Sequence, residues 1–272
     1  MADPVTGNVL MEVRDSIAFI TVNRPDARNA MTSAMFEEMM LLLDRVQSDR
    51  DIRVVLMQGA GTSFIAGGDV KAFAAGLELS AEDRAEDMKR RAARAGRISA
   101  AIARLPQPVI VAVRGYAVGA GLSIVAAADL VIASENAQFV LAHISLGMSP
   151  DGAASFFLPR VVGLKRANQI ALLGDAVSAR EACAMGLINW VVPDEELDTR
   201  ARQLVMRLVA APAAAVAQIK RLFQSSFERD LDEQVIAENE SLRQCALTDD
   251  FAEGLRAIKE KRKPRFGGVG TS

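Results

Sequence analysis

The chain has 272 residues, of which 50% are hydrophobic and 24% charged, and its formal net charge is −2. This composition is typical of a folded globular protein with a sizeable core, and the near balance of charge indicates no general attraction to nucleic acid or to a membrane. The single histidine, His143, excludes a histidine-rich zinc site. A Ser-His-Asp hydrolase is not favoured either, because the chain has no Gly-x-Ser-x-Gly motif.

Targeting and redox features favour the cytoplasm. The first residues lack a basic segment followed by an apolar one, so we expect no signal peptide. No apolar run approaches the roughly 18 residues that a membrane span requires. The two cysteines, Cys183 and Cys245, are far apart in sequence, and we expect free thiols rather than a disulfide or a metal site.

Two strands and a helix are predicted near the N-terminus. Residues 9–13 and 17–22 are apolar runs on either side of a short turn, which predicts a pair of strands. Residues 34–47 have their apolar side chains on one helical face, and Thr32 or Ser33 is predicted to cap this helix.

A further strand pattern leads into a turn of small residues. Residues 54–58 predict a buried strand, and residues 59–71 are rich in glycine, which leaves backbone N–H groups uncovered. The polar segment 76–88 is predicted to be a mobile loop that leads into a helix capped by Ser80.

That helix, which is predicted to run to about residue 105, is strongly cationic. Its basic residues are Arg84, Lys89, Arg90, Arg91, Arg94, Arg97 and Arg104. We favour a solvated face that pairs with neighbouring acids, because runs of charge are weak evidence for a site. The alternative is that these cations help to hold an anionic cofactor.

Residues 108–129 form the stretch around which the chain is organised. Residues 109–113 predict a strand buried on both faces, residues 115–121 a glycine-rich turn, and residues 122–128 a helix. A turn followed by a helix N-terminus aims unpaired N–H groups at one point, which attracts negative charge. Together with the turn at 59–71, two N–H donors could meet at one carbonyl oxygen and form an oxyanion hole. Tight packing with nothing bound is the alternative.

The remaining elements separate into two parts. Strand patterns at 129–133 and 138–141 continue the alternation of strands and helices to about residue 190, which predicts an α/β architecture. Beyond residue 195 the pattern is helical. Four helices are predicted there, over residues 197–211, 213–227, 231–247 and 249–261. We therefore expect a core over residues 1–195 and a C-terminal helical segment over residues 196–272.

Five motifs follow one another along the chain. They are Asn23-Arg-Pro-Asp-Ala-Arg-Asn29, Ser63-Phe-Ile-Ala-Gly-Gly-Asp69, Gly115-Tyr-Ala-Val-Gly-Ala-Gly121, Glu181-Ala-Cys-Ala-Met-Gly-Leu-Ile188 and Lys261-Arg-Lys-Pro-Arg-Phe266. With these motifs in this order, the chain resembles the crotonase (enoyl-CoA hydratase/isomerase) superfamily over nearly its whole length. The resemblance implies a crotonase-like spiral of ββα units and a C-terminal helical segment that helps to build a homotrimer or a dimer of trimers. It also implies an acyl-CoA substrate, with no cofactor beyond the coenzyme A that the substrate contains.

The resemblance also implies roles for individual residues. The family's oxyanion hole is built from two backbone N–H groups, whose positions here are Gly68 and Ala120. The two glutamates of the family's hydratases fall at Ser123 and His143, so both carboxylates are missing. Asp151 matches the carboxylate that moves a proton between C2 and C4 in the Δ3,Δ2-enoyl-CoA isomerase branch and in the ring-modifying isomerases of phenylacetate catabolism. Since one carboxylate suffices for isomerisation and hydration needs two groups, we expect an isomerase.

Other interpretations stay open at this point. His143 could be the base of a hydratase or a related lyase, although we favour a histidine that lines the pocket wall or is bonded to a backbone carbonyl. Asp151 could be a helix N-cap, which is a common use of aspartate. A third hypothesis is a catalytically silent scaffold that binds acyl-CoA, because both hydratase glutamates are absent.

The candidates for binding the coenzyme A moiety are Arg28, Ala66, Lys71 and Lys261. The resemblance implies phosphate-binding cations at Arg28 and Lys71, and Lys261 could reach a nearby nucleotide from the tail. Surface cations are common, so each of these is a hypothesis about one residue.

Overall fold

A computed structural model of the chain describes residues 7–267. Its strands form one sheet of six strands and one of four. In spatial order the larger sheet contains β1 (Val9–Arg14), β2 (Ile17–Val22), β3 (Val54–Gly59), β5 (Val109–Val113), β7 (Leu130–Ser134) and β10 (Trp190–Val192). The smaller sheet contains β4 (Ile65–Ala66), β6 (Tyr116–Val118), β8 (Gln138–Val140) and β9 (Val177–Ser178).

Ten α-helices lie within the described residues. They are α1 (Ser33–Ser48), α2 (Val70–Ala74), α3 (Ala81–Arg104), α4 (Ala120–Ala127), α5 (Ala154–Leu173), α6 (Ala179–Ala184), α7 (Leu197–Val209), α8 (Ala213–Ser225), α9 (Leu231–Ala246) and α10 (Asp249–Lys259). Two predicted N-caps are confirmed, because the Thr32 side chain accepts from the Met35 N–H and the Ser80 side chain from the Asp83 N–H. None of these helices combines the length and the apolar character needed to cross a bilayer.

The same strand–strand–helix unit occurs three times in succession. In β3–β4, β5–β6 and β7–β8 the first strand belongs to the larger sheet and the second to the smaller, and a helix follows each pair. The strands β3, β5 and β7 pair in parallel, and so do β4, β6 and β8. The predicted spiral of ββα units in an α/β fold is therefore confirmed.

The central strand β5 is buried on both faces, as its run of apolar residues predicts. Val109, Val111 and Val113 face the main core, which also contains apolar residues of α1, α3 and α4. The alternate residues Ile110 and Ala112 face a second core cluster that is closed by α7. One helix of the predicted C-terminal segment thus covers the second face of the larger sheet.

A buried ion pair holds α8 against this core. The Lys220 side chain is only 6% exposed, and its Nζ donates to Asp129 Oδ2 at 2.6 Å and to the carbonyl oxygens of Ile102 and Gln107. Desolvation is the main cause that lowers the pKa of Lys220, and it raises the pKa of Asp129. All three protons of the ammonium group thus have acceptors, and they tie α8 to the end of α3 and to the segments that precede β5 and β7.

Four short elements differ from the sequence prediction. Residues 65–66 and 116–118 were expected within glycine-rich turns, but they form the strands β4 and β6. Residues 70–78 contain α2 and a 3-10 turn. The four predicted C-terminal helices are confirmed to within two residues at each end.

Candidate active site

A cavity of about 460 Å³ lies where the two glycine-rich turns, α3 and the segment before α5 meet. Most of its wall is apolar. The apolar side chains of this wall include Met31, Phe36, Phe73, Met88, Leu146 and Met148. Gly68, Ala120, His143 and Asp151 all line it, so the structure brings together four candidates that are far apart in sequence. Such a cavity can accept an apolar group beside a few polar ones.

Parallel strand pairing places the two candidate oxyanion donors side by side. β4 pairs with β6 in the register Ile65 to Ala117 and Ala66 to Val118. The chain therefore leaves both strands at the same edge, and Gly68 and Ala120 each lie two residues beyond their strand. Short strands that sequence patterns did not predict are thus what aligns the two turns.

The hydrogen bonds of its two neighbouring residues with Met31 leave the N–H group of Gly68 without a partner among the described residues. The Met31 N–H donates to Gly67 O at 2.8 Å, and the Asp69 N–H donates to Met31 O at 3.0 Å, so both neighbours of Gly68 are fixed. Within residues 7–267 the Gly68 N–H itself donates no hydrogen bond. A Cβ atom at this position would lie 2.6 Å from Phe73 Cζ, so a larger residue would require the Phe73 ring to move.

The N–H group of Ala120 is free for a different reason, since it is the first residue of α4. Helix N-termini leave their first N–H groups unpaired, and the Ala120 N–H has no acceptor among the described residues. Gly119 precedes it with φ 50° and ψ −108°, a conformation that an L side chain rarely adopts. A Cβ atom at Gly121 would lie 2.5 Å from Ile65 O, so glycine here lets α4 approach β4 closely.

A polar network that the sequence analysis did not identify holds the first turn. Asn29 is fully buried, and its Nδ2 donates to Ala60 O and Ser63 O. Arg24 Nη1 donates to Asp69 Oδ2 at 2.7 Å, while Asp69 Oδ1 accepts from the Lys71 N–H and caps α2. The hydrogen bond from Arg24 lowers the pKa of Asp69. Both residues belong to the first motif, but their contacts with the glycine turn are visible only in the fold.

His143 and Asp151 form a pair at the cavity wall. His143 Nε2 lies 3.0 Å from Asp151 Oδ1, and the side chains are 9% and 28% exposed. His143 belongs to a 3-10 turn (Ala142–Leu146), after which the Met148 N–H donates back to His143 O. This return of the chain brings Asp151 beside the imidazole.

The interpretation of Asp151 as an N-cap is wrong. The N-cap position of α5 belongs to Ala153, and no side chain caps this helix. The backbone oxygen of Asp151 accepts from the Ala154 N–H, which leaves the carboxylate for His143 and the cavity.

Ser123, at one of the two hydratase glutamate positions, lies outside the cavity lining. It is fully buried, and its Oγ donates to Gly119 O at 3.1 Å and to Asp151 O at 3.3 Å. The hydroxyl therefore ties the second glycine turn to the segment that contains Asp151.

Of the four candidates for coenzyme A binding, Ala66 lines the cavity. Arg28, Lys71 and Lys261 are exposed and do not line it. The Arg28 guanidinium lies over the Tyr116 ring at 5.9 Å, and Lys71 is in the first turn of α2. The structure therefore does not gather these three cations at one place in the cavity of this chain.

Three cations of α3, which the sequence analysis assigned to a solvated face, line the cavity. Lys89 pairs with Glu86, Arg91 with Asp87 at 2.6 Å, and Arg94 with Glu37 at 3.4 Å. The expected pairing with acids is present for these three, although the face they occupy borders the cavity. In the part of the chain that the structure describes, no cluster of histidine, cysteine and carboxylate groups has the make-up of a metal site.

Comparisons with known proteins found relatives that match nearly the whole chain. The family model described as enoyl-CoA hydratase/isomerase matches residues 12–269. The chain is 36% identical to the 1,2-epoxyphenylacetyl-CoA isomerase of Escherichia coli K12, covering 96% of this chain and 98% of that one. It is 35% identical to a probable enoyl-CoA hydratase of Rhodobacter capsulatus, covering 94% and 96%. A crystal structure of a putative enoyl-CoA hydratase from Streptomyces coelicolor A3(2) superimposes with a TM-score of 0.90 at 34% identity, covering 98% of this chain and 97% of that one.

Proposed function

The chain belongs to the enoyl-CoA hydratase/isomerase family, and we propose that within this family it is an isomerase that moves a double bond of an acyl-CoA through Asp151. The main support is the combination of Asp151 facing the cavity with the absence of both hydratase carboxylates. The other carboxylate among the described lining residues, Asp69, is held by Arg24 and caps α2. Isomerisation requires only one group that removes a proton and returns it.

The N–H groups of Gly68 and Ala120 supply the electrostatic part of the mechanism. Removing a proton next to a thioester moves an electron pair onto the carbonyl oxygen, and two preorganised donors stabilise that charge more than they stabilise the neutral carbonyl. The unpaired state of both N–H groups and their position on adjacent strand ends support this role.

Asp151 supplies the proton transfer. Its carboxylate removes the C2 proton of a 3-enoyl-CoA, and the electron pair delocalises into a dienolate whose oxygen rests on the two N–H groups. The same carboxyl group then returns the proton to C4, so the double bond moves from C3–C4 to C2–C3. The sum of the two steps neither consumes nor releases a proton, and no oxidant or metal takes part.

The acyl chain of the substrate would occupy the apolar cavity, and its coenzyme A moiety would lie along the opening of the cavity. The apolar wall around Phe36, Phe73 and Met88 suits the acyl group. Ala66 lines the same cavity, and we keep Arg28, Lys71 and Lys261 as the cations that contact the nucleotide. In a homo-oligomer, Lys261 could serve the site of a neighbouring subunit.

The test is double-bond migration on a 3-enoyl-CoA by the wild-type protein and by Asp151→Asn. General acid–base groups contribute about 10²- to 10⁴-fold, and we expect a loss of kcat in this range. In D₂O the hydrogen gained at C4 of the wild-type product should come mainly from C2 of the substrate, because the same carboxyl group returns it. The matched control is Asp175→Asn, because Asp175 is exposed after α5 and lies outside the cavity lining, so its loss should leave kcat unchanged. Equal rates for the wild type and Asp151→Asn would end the proposal.

The same assay discriminates the two alternatives. Hydration of crotonyl-CoA by the wild type, abolished by His143→Ala, would favour a hydratase, a name that one of the relatives bears. Tight binding of acyl-CoA without turnover across a panel of esters would favour a silent scaffold.

A further inference from the structure

His143 presents only one of its two ring nitrogens to a partner. Nε2 lies 3.0 Å from Asp151 Oδ1, whereas Nδ1 is buried and has no hydrogen-bond partner among the described residues. The ring packs against the second glycine turn, since its Cε1 would lie 3.6 Å from a Cβ atom placed on Gly119. The imidazole therefore lies between the N-terminus of α4, which provides one oxyanion donor, and the carboxylate of Asp151, which is proposed to move the proton.

The unpartnered nitrogen indicates where the ring hydrogen is. A tautomer with hydrogen on Nδ1 would bury an N–H donor with no acceptor, which costs more than burying an unused lone pair. With the hydrogen on Nε2, the ring instead donates to Asp151 Oδ1, and an ionised carboxylate can only accept. This assignment follows from the partners of each nitrogen.

The same geometry argues against His143 as the group that touches substrate. The nitrogen not engaged by Asp151 has almost no exposed surface, so it cannot reach a water molecule or an acyl carbon in the cavity. Any effect of the ring on the chemistry must pass through the carboxylate.

We infer that His143 is a positioning residue, which donates its Nε2–H to Oδ1 of Asp151 and so presents Oδ2 as the atom that moves the proton. This inference rests on the proposed function of Asp151. Without the hydrogen bond the carboxylate can rotate between orientations, only some of which face C2 and C4. The loss should therefore appear mainly in kcat and leave KM nearly unchanged, because neither ring nitrogen is free to hydrogen-bond the substrate.

The single histidine allows a direct test of the hydrogen position. Tag-free protein labelled with ¹⁵N-histidine contains one imidazole, and long-range ¹H–¹⁵N spectra distinguish a protonated from an unprotonated ring nitrogen. We expect a protonated Nε2 in the wild type, and we expect Asp151→Ala to give a mixture of tautomers. A wild-type spectrum of the Nδ1–H tautomer, or one identical to that of Asp151→Ala, would overturn the inference.

Three substitutions separate positioning from simple packing. His143→Gln keeps an amide N–H near the place of Nε2, His143→Asn places its amide near Nδ1, and His143→Leu has no donor. Misplacing a catalytic group by about 1 Å costs on the order of 100-fold, so we expect kcat to fall by about 10- to 100-fold in the Asn and Leu variants. The Gln variant should recover most of kcat. Folding is checked for each variant by its thermal unfolding temperature.

The outcomes keep this inference apart from the proposed function. If Asp151→Asn is inactive and all three His143 variants retain wild-type kcat, the positioning role fails and the proposed isomerase remains. Equal losses of kcat in the Gln and Leu variants would mean that His143 only packs against its neighbours, and the positioning role would fail. If Asp151→Asn isomerises like the wild type, both proposals fail.

Discussion

At the scale of single residues, the candidate site depends on backbone groups more than on side chains. Gly68 and Ala120 contribute only N–H groups. Gly67, which has a positive φ, precedes Gly68, and Ala120 is the first residue of α4. Asp151 is the side chain proposed to move the proton; His143 Nε2 contacts its Oδ1, and Ser123 Oγ donates to its backbone oxygen. A substitution that removes an N–H group without changing a side chain's charge is therefore the most specific test of the oxyanion hole.

Ala120→Pro is such a substitution. Proline is well tolerated at the first position of a helix because its missing N–H is unpaired there anyway. We expect the protein to remain folded and kcat to fall by about 10²- to 10³-fold, as for the loss of one oxyanion donor. The measurement is kcat on a 3-enoyl-CoA beside the thermal unfolding temperature.

The control for this prediction is Ala120→Gly, which keeps the N–H group at the same place and should retain most of the activity. If the proline variant turns over at the wild-type rate, Ala120 does not hold the developing negative charge.

At the same scale, the meeting of Asp151, Gly68 and Ala120 at one cavity could be predicted because these residues occupy fixed positions within sequence motifs. Arg24 and Asn29 could not be assigned in this way. Their partners Asp69 and Ser63 are 45 and 34 residues away, and no local pattern indicates which turn they will meet. The interaction of His143 with Asp151 was also missed, since it depends on the loop that turns back after the 3-10 helix.

At the scale of elements, two very short strands align the site. β4 has two residues and β6 has three, too few to show an alternating pattern, whereas the helices α7 to α10 are long and periodic. This is why the sequence predicted the C-terminal helices closely and assigned β4 and β6 to turns. The first of the two turns is further held by the contact between Arg24 and Asp69, which fixes the start of α2.

Asp69→Asn should weaken this contact while preserving the cap of α2, since an asparagine oxygen can still accept from the Lys71 N–H. We expect a loss of about 1 kcal/mol in the free energy of unfolding at pH 7, because the pair is partly exposed. We also expect a lower kcat, because the loop that positions Gly68 loosens. Thermal unfolding and turnover of both proteins provide the measurements.

The pH dependence of this effect has a definite sign. The pKa of Asp69 in the folded chain lies below its ordinary value of 3.8, chiefly because of the hydrogen bond from Arg24. The stabilisation is therefore fully present above that ordinary value and is lost as the pH falls through the folded-state pKa. The difference between the wild type and Asp69→Asn should shrink below pH 3.8, and a difference that grows in acid would contradict this account. Asp26→Asn, at an exposed aspartate in the 3-10 turn after β2, is the control and should leave the free energy of unfolding at pH 7 unchanged.

At the scale of the whole molecule, three C-terminal helices have apolar side chains on surfaces that face solvent. On each helix these side chains recur at helical spacing. They are Ile219, Phe223 and Phe227 along and just after α8, Leu231, Val235 and Leu242 on α9, and Phe251, Leu255 and Ile258 on α10. Repetition on one face of each helix is typical of a surface that packs against another element. Since the described chain does not cover these stripes, they support a homo-oligomer, for which the resemblance to the family implies a trimer or a dimer of trimers.

Ile258→Glu tests this assembly, because Ile258 is 77% exposed in the single chain and lies at the end of the α10 stripe. We expect the wild type to sediment as a trimer or a hexamer and the variant to dissociate at low micromolar concentration, because a charge buried at an interface without a partner is strongly destabilising.

Lys259→Glu is the matched control, since it introduces the same carboxylate one residue later, outside the stripe, and should leave the oligomer intact. Sedimentation velocity over a range of concentrations measures both. Lys261 follows this helix directly, so if it contacts a neighbour's coenzyme A, dissociation of the variant should also raise KM for acyl-CoA. A wild type that stays monomeric at high concentration would rule out the assembly and leave the apolar stripes without an explanation.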